Sequence, residues 1–134
     1  MRFVLDASVA MSWCFREYDP RADVAIGHFH SGARTIAPLH WWFEVRNVAM
    51  RGIRQKRVSQ AEVTAFFLSL AVTPVALDEL PNEIAVFDLA QRHNLTFYDA
   101  AYLELAQRES IPLATLDQAL VRAAIAEGVP LIGA

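Results

Sequence analysis

Four carboxylates lie at points where the sequence predicts boundaries between secondary-structure elements: Asp6, Glu44, Asp99 and Asp117. Three of them follow short apolar runs typical of buried strands or strand-like segments, namely Phe3–Leu5, Leu95–Tyr98 and Pro112–Leu116. Because ligands of open α/β sheets bind beyond the carboxyl ends of the strands, acids at those positions converge on one crevice. Carboxylate oxygens suit hard divalent cations, above all Mg²⁺, which usually also keeps water and substrate phosphate as ligands.

A simpler role exists for each acid taken alone, because an Asp at a strand-to-helix junction is commonly a helix N-cap. For Asp6 both roles are compatible, since such a turn offers backbone N–H groups as well as an acid. Glu44 differs because it lies in the aromatic stretch Trp41–Val45. A carboxylate there is costly to bury unless it is paired or bound to a cation, and the alternative is a solvated helix face. The four acids together favour a metal site.

Hydroxyl and amide side chains accompany the acids in the sequence, namely Ser8, Asn47, Thr96 and Thr115. We expect the Ser8 and Thr115 hydroxyls to orient the metal ligands or water by hydrogen bonds, without binding the metal themselves. Asn47 lies one turn after Glu44, so it should share a helix face with that acid. Helix capping is the alternative role for Thr96 and Thr115.

A basic run follows Glu44 and includes Arg46, Arg51 and Arg54. These side chains are candidates for contacts with a nucleic-acid backbone, because phosphate contacts are made largely by Arg and Lys. Cations near the end of a helix also complement its dipole, so a solvated helix end explains the same run equally well.

Apolar runs and turn signals alternate along the chain. They predict strands near residues 2–5, 34–37, 73–77, 111–115 and 129–132, and helices over 7–15, 21–30, 38–55, from 60, over 81–93, 99–108 and 117–128. Continuously apolar strands that alternate with helices are typical of a parallel sheet covered on both faces. The sequence therefore predicts a three-layer α/β/α fold with a central, mostly parallel sheet of about five strands.

Length and composition limit the class of protein. The 134 residues, 54% of them hydrophobic and 20% charged, predict a single compact domain spanning 1–134. No apolar run approaches the roughly 18–20 residues that span a bilayer, and no cleavable signal is evident, so we expect no membrane association. One cysteine, Cys14, fits a reducing cytoplasm. The net charge of −3 does not exclude a nucleic-acid substrate, because a bound cation would offset the clustered acids.

The sequence resembles the PIN domain family, in particular the VapC-like toxins of bacterial toxin–antitoxin pairs. The matching segments are Val4–Ser8, Pro38–Asn47, Thr96–Tyr102 and Ala114–Asp117, in that order and nearly spanning the chain. The resemblance implies that the four acids bind Mg²⁺ or Mn²⁺ and hydrolyse RNA. Asp6, Glu44 and Asp99 would be the core ligands, and Asp117 the more variable fourth. It also implies an RNA substrate, a cognate antitoxin and a homodimer.

Two other classes of function are compatible with the acids. An aspartyl-nucleophile phosphotransferase usually has two acids at one strand end or a Lys near the phosphate. Here Asp6 is followed by Ala7 and Ser8, and the only lysine, Lys56, lies far from any predicted strand end. These residues disfavour the aspartyl-nucleophile class. A non-catalytic, metal-stabilised module that binds RNA or protein stays open, because the residues that bind the metal are also those that would catalyse.

Overall fold

The computed structural model describes all 134 residues of the chain. The elements follow in the order β1 (Arg2–Leu5), α1 (Ala7–Cys14), α2 (Pro20–His30), β2 (Arg34–Ala37), α3 (Trp41–Arg54), α4 (Gln60–Val72), β3 (Ala76–Leu77), α5 (Glu83–His93), α6 (Phe97–Glu109), β4 (Leu113–Ala114) and α7 (Gln118–Ala126). Helices separate every pair of successive strands, because parallel strands need a crossover that returns the chain to the same end of the sheet.

The central sheet is parallel throughout, with strand order β3-β2-β1-β4. Strand β1 lies between β2 and β4, and its residues Phe3, Val4 and Leu5 are fully buried. Val4 pairs with Ile36 on one side and with Leu113 on the other. A four-stranded parallel sheet flanked by seven helices confirms the predicted α/β class, and the residue that follows β1 enters the interior.

The sheet has four strands, one fewer than the five or so predicted. Residues 129–132 form only an isolated bridge, in which Leu131 pairs with Leu113 at the outer edge of β4. The Leu113 amide donates to the Pro130 carbonyl at 2.9 Å, and the Ile132 amide donates to the Leu113 carbonyl at 3.0 Å. The ladder stops there because Pro130 has no amide proton and Gly133 turns the chain with a φ of +76°.

The apolar run before Asp99 is helical rather than strand-like, which is a second correction. Thr96 is the N-cap of α6, and its hydroxyl accepts a hydrogen bond from the Asp99 amide at 3.1 Å. Phe97 and Tyr98 therefore belong to the first turn of α6. This local capping bond overrides the strand preference of the aromatic residues.

Several predicted helix ends are confirmed by their capping bonds. Ser59 and Glu62 form the capping box that begins α4, with bonds of 3.0 and 3.1 Å. Asn94 ends α5 in the left-handed conformation, with a φ of 51°. The third helix begins at Trp41 rather than at Pro38, because residues 38–40 form a turn closed by the Trp41 amide on the Pro38 carbonyl.

One contiguous apolar core joins the sheet to the helices. Helix α6 contributes most to it, with every residue from Ala100 to Ala106 buried. Helix α4 is different, because only Leu70 is buried on it although the helix is largely apolar. No helix is long and apolar enough to cross a membrane.

Two glycines provide a test of the backbone conformations in this fold. A Cβ at either Gly27, inside α2, or Gly128, after α7, would meet no atom within 4 Å, but Gly128 has a φ of +71°. We expect Gly128→Ala to lower the free energy of unfolding by about 1–2 kcal/mol, because L-residues resist the left-handed region. Gly27→Ala should raise it by roughly 0.5–1 kcal/mol, because alanine favours a helix interior. Urea unfolding measures both, and equal effects would contradict the assigned conformations.

Candidate active site

All four predicted acids lie at the N-terminal end of a helix. Asp6 and Asp117 occupy the N-cap positions of α1 and α7, and Glu44 and Asp99 lie in the first turns of α3 and α6. Helices α1 and α7 follow the neighbouring parallel strands β1 and β4, so both helices begin at the carboxyl-end edge of the sheet. Helix N-termini carry partial positive charge, which offsets some of the repulsion among the carboxylates.

The side chain of Asp6 is held by two hydroxyl groups. Its Oδ2 accepts a hydrogen bond from Ser8 Oγ at 2.6 Å and another from Thr115 Oγ1 at 2.7 Å. The Asp6 amide donates to the Ala114 carbonyl at 3.0 Å, which fixes the backbone against β4. Asp6 is 5% exposed and makes no capping bond to α1. Because both hydroxyls donate to the same oxygen, Oδ1 stays available for another ligand.

The same two hydroxyls join segments that are far apart in the sequence. Ser8 Oγ accepts from the Leu116 amide at 2.9 Å, and Thr115 Oγ1 accepts from the Asp117 amide at 3.1 Å. Asp117 also caps α7 through its own Oδ1, which accepts from the Leu120 amide at 3.2 Å. Ser8 and Thr115 are therefore placed to orient Asp6, and their support of a metal stays a prediction.

Glu44 is held by a residue to which the sequence analysis gave no role. The hydroxyl of Tyr102, fully buried on α6, donates to Glu44 Oε1 at 2.6 Å and so joins α6 to α3. Burial, together with the charges of Asp6 and Glu44, raises the pKa of Tyr102, so the hydroxyl remains a donor. The sequence signal was the position of Tyr102 three residues after Asp99, on the same face of α6.

His40 is a second residue that the sequence analysis did not identify. Its Nε2 lies 3.3 Å from Glu44 Oε1, but the two atoms are not aligned for a hydrogen bond. The ring packs against Tyr98 and Tyr102, with centroids 5.2 Å apart in each pair. Burial lowers the pKa of His40, although Asp99 acts in the opposite direction. Its position four residues before Glu44 was the available signal.

The acids influence one another's ionisation. Burial raises the pKa of Asp6 to about 6; the hydroxyl bonds oppose this shift, and the charges of Glu44 and Asp99 add to it. Burial also raises the pKa of Glu44, against the Tyr102 bond and with a contribution from Asp99. The pKa of Asp99 rises through burial and the nearby charge of Asp117. The four carboxylates thus form one electrostatic cluster that a cation would stabilise.

A divalent cation fits the chemistry of this donor set, because the donors are oxygens and their mutual repulsion falls when positive charge is present. The residues predicted to hold it are Asp6, Glu44 and Asp99, whose charges act on one another in the structure. In this structure, however, no three His, Cys, Asp or Glu side chains lie close enough together to bind one ion. The metal-binding and catalytic roles of the four acids therefore stay predictions.

The remaining predicted polar residues occupy different places. Thr96 caps α6 through the amide of Asp99 and supports that acid through the backbone. Asn47 is exposed on α3 and lines a cavity beside Glu44. A side-chain hydrogen bond from Thr96 opposes the raised pKa of Asp99, whereas Asn47 makes no hydrogen bond to an acid. A supporting role at a metal stays a prediction for both.

The predicted RNA-binding arginines do not surround the acids. The Arg46 guanidinium lies over the rings of Trp42 and Phe67, at 3.9 and 4.5 Å from their centroids, and donates to the Trp42 carbonyl at 3.0 Å. Arg51 and Arg54 are exposed. From the helical rise they lie about 10 and 15 Å along α3 from Glu44. Their contact with RNA stays a prediction.

The sequence matches the PIN domain family over residues 3–126. Because the match covers most of the chain, the protein belongs to the PIN domain family. No individually curated protein is similar enough in sequence to be matched.

Solved structures with the same fold come from several organisms. PAE2754 from Pyrobaculum aerophilum is 22% identical with a TM-score of 0.73, and the alignment covers 98% of this chain and 84% of that one. VapC20 from Mycobacterium tuberculosis, a sarcin-ricin-loop-cleaving toxin, is 18% identical with a TM-score of 0.60 over 90% and 94% of the chains. A toxin–antitoxin complex from Klebsiella pneumoniae is 19% identical with a TM-score of 0.56 over 85% of each chain. At these identities the likeness establishes the fold.

The buried charge of Asp6 predicts a pH-dependent stability. The unfolded chain releases the Asp6 proton near its ordinary pKa of 3.8, whereas the folded protein releases it near 6. Between those values the folded state holds a proton that the unfolded state has lost, so this contribution to stability falls as pH rises through the window. At about 1.4 kcal/mol per pKa unit, the ionised carboxylate costs about 3 kcal/mol above pH 6.

We therefore expect Asp6→Asn to raise the thermal midpoint at pH 8 in EDTA and to change it little at pH 4. Thermal unfolding followed by circular dichroism measures this difference. Asp23→Asn, on the exposed surface of α2, is the matched control for removal of one carboxylate. An equal effect of Asp6→Asn at both pH values would contradict a buried, ionised Asp6.

Proposed function

We propose that this protein is a Mg²⁺- or Mn²⁺-dependent endoribonuclease that hydrolyses RNA phosphodiester bonds. PIN domains are generally nucleases, and the chain belongs to that family. The observation that carries the proposal is the cluster of four interacting carboxylates at one edge of the sheet, with Asp6 buried and fixed through one oxygen. A cluster of this kind has little structural benefit without a cation, because burial and repulsion both raise the pKa values of Asp6, Glu44 and Asp99.

In the proposed site, Asp6, Glu44 and Asp99 bind the cation, and Asp117 contributes through water. The cation, when bound, activates water and neutralises charge on the phosphate. The protein's own contribution is positional. Ser8 and Thr115 hold Asp6, and Tyr102 holds Glu44, so the carboxylates do not have to be ordered when the metal and substrate arrive.

We further propose that the protein is the toxin of a toxin–antitoxin pair and acts in the cytoplasm as a homodimer neutralised by a cognate antitoxin. Its fold relatives include a toxin that cleaves the sarcin-ricin loop and a toxin–antitoxin complex. Protein partners are also supported by large apolar side chains at the surface, among them Leu68 and Val72 on α4 and Ile84 on α5, which are 66%, 83% and 81% exposed.

The nuclease activity is tested by incubating purified protein with a mixed RNA pool in Mg²⁺, in Mn²⁺ and in EDTA. We expect cleavage with either metal and none in EDTA. Asp99→Asn should lower the rate at least about 100-fold, because loss of a ligand exceeds the 10- to 100-fold typical of its supporting residues. Asp88→Asn, an exposed acid on α5, is prepared in parallel and should cleave as the wild type does.

The outcomes separate the candidate functions. Metal-dependent cleavage that disappears in Asp99→Asn supports the nuclease. RNA binding without cleavage, in folded protein free of any antitoxin, would favour a non-catalytic binding module of the same fold. Equal cleavage by Asp99→Asn and the wild type would contradict the assigned site.

The toxin role predicts an effect on growth. Induced expression of the wild-type protein should arrest bacterial growth, and expression of Asp99→Asn should not, because the arrest requires RNA cleavage. The cleaved RNA and the colony counts are measured after equal accumulation of both proteins. Co-expression of a small protein encoded beside the gene should restore growth if that protein is the antitoxin. Normal growth with active, accumulated wild-type enzyme would contradict the toxin role.

A further inference from the structure

A cavity of about 540 Å³ opens beside the acid cluster, and most of its lining has no role in the proposed metal chemistry. Five residues line it: His40, Phe43, Glu44, Asn47 and Tyr98. Glu44 therefore belongs both to the cavity and to the cluster. The volume lies within the roughly 300–1,000 Å³ of typical ligand sites. A group bound here would lie directly next to a phosphate held at the acids.

Two large aromatic rings of the cavity are exposed to solvent. Phe43 is 72% exposed and Tyr98 is 63% exposed, although each lies in the first turn of a helix whose backbone is fixed. The Tyr98 ring rests against His40 at a centroid distance of 5.2 Å, and Phe43 rests against Trp42 at 4.9 Å. The rings are thus oriented in advance while much of their surface stays uncovered, as in proteins that stack unpaired bases.

Polar atoms accompany the rings. Asn47 lies four residues after Phe43, so both occupy one face of α3. Its amide offers a donor and an acceptor, which is what the edge of a nucleobase requires. The His40 Nε2 is buried and lies 3.3 Å from Glu44 Oε1, but it is not aligned for a hydrogen bond and has no other partner within the protein. A buried polar atom without a hydrogen bond is rare, so this nitrogen stays available to a ligand or water.

We propose that this cavity binds one unpaired nucleobase of the RNA, stacked on Phe43 and Tyr98 and contacted at its edge by Asn47. The proposal rests on the proposed ribonuclease function and names how that site recognises its substrate. A nucleobase combines flat apolar faces with a polar edge. The faces suit the rings of Phe43 and Tyr98, and the edge suits the amide of Asn47. Single-stranded and loop RNA is commonly recognised in this way, through unstacked bases on aromatic side chains.

The first test uses the wild-type protein and a single-stranded RNA that it cleaves at one position. Abasic nucleotides replace each base near the cut in turn, and kcat/KM is measured in Mg²⁺. We expect one position adjacent to the cut to lose roughly 5- to 150-fold, the range for removing one base–aromatic stack. The other abasic substrates should lose much less.

The second test asks whether the cavity is the cause. In Phe43→Leu and Tyr98→Leu, removing the base at that position should lower kcat/KM much less than it does in the wild type, because the ring on which the base stacks is absent. We call this loss of kcat/KM the abasic penalty. Phe43→Tyr retains a ring and should restore the penalty. Tyr18→Leu removes an 86% exposed ring beyond the far end of α1 and should behave as the wild type does.

Failure of this proposal is distinct from failure of the nuclease assignment. If the wild type cleaves no RNA in any metal, the proposed function fails, and the cavity proposal with it. If the wild type cleaves but no abasic position matters, or the penalty persists in Phe43→Leu and Tyr98→Leu, only the nucleobase site is overturned. A changed oligomeric mass of Phe43→Leu with an unchanged abasic penalty would also overturn it and assign this ring to a protein contact.

Discussion

The burial of a carboxylate at the end of the central strand is the constraint on which the rest of this structure depends. Strand β1 lies between β2 and β4, and Asp6, the residue that follows it, is only 5% exposed. An acid at that position needs donors, and Ser8 and Thr115 supply two of them. The donors only partly compensate, because the pKa of Asp6 still rises to about 6. A bound cation would offset the remaining cost of the buried negative charge on Asp6.

The other elements are held to this point by a few bonds between distant parts of the chain. The Leu116 amide bonds to Ser8, and the Tyr102 hydroxyl bonds to Glu44. The first bond joins the segment before α7 to α1, and the second joins α6 to α3. The parallel topology makes this possible, because it brings successive strand ends and helix starts to the same side of the sheet.

The electrostatics bear on how a nucleic acid would be recognised. The chain has a net charge of −3, and Arg46 is used in stacking on Trp42 and Phe67 rather than in a basic groove. Arg46 is therefore not free to contact phosphate, and the exposed Arg51 and Arg54 are the remaining candidates among the predicted arginines. In the function proposed here, affinity comes from the cation at the acids and from the aromatic cavity beside them. The aromatic cavity would select a locally unpaired strand over a regular duplex, because only an unpaired base can stack on its rings.

The sequence by itself determined the class of fold, and it singled out four acids whose charges interact in the structure. Apolar strands, helix caps such as Ser59 with Glu62, and the left-handed Asn94 are local patterns, and local patterns are encoded by neighbouring residues. The errors arose where a local signal was ambiguous. The segment before Asp99 is aromatic enough for a strand, but the Thr96 cap makes it helical.

Only the tertiary structure decided which atoms meet. The bonds from Thr115 to Asp6 and from Tyr102 to Glu44 join residues 109 and 58 positions apart. Likewise, the stacking of Arg46 on Phe67 and the cavity between Phe43 and Tyr98 depend on how separate helices pack. Sequence spacing limits which helix face a residue occupies, but contacts across the fold follow from packing between elements, which no local pattern encodes.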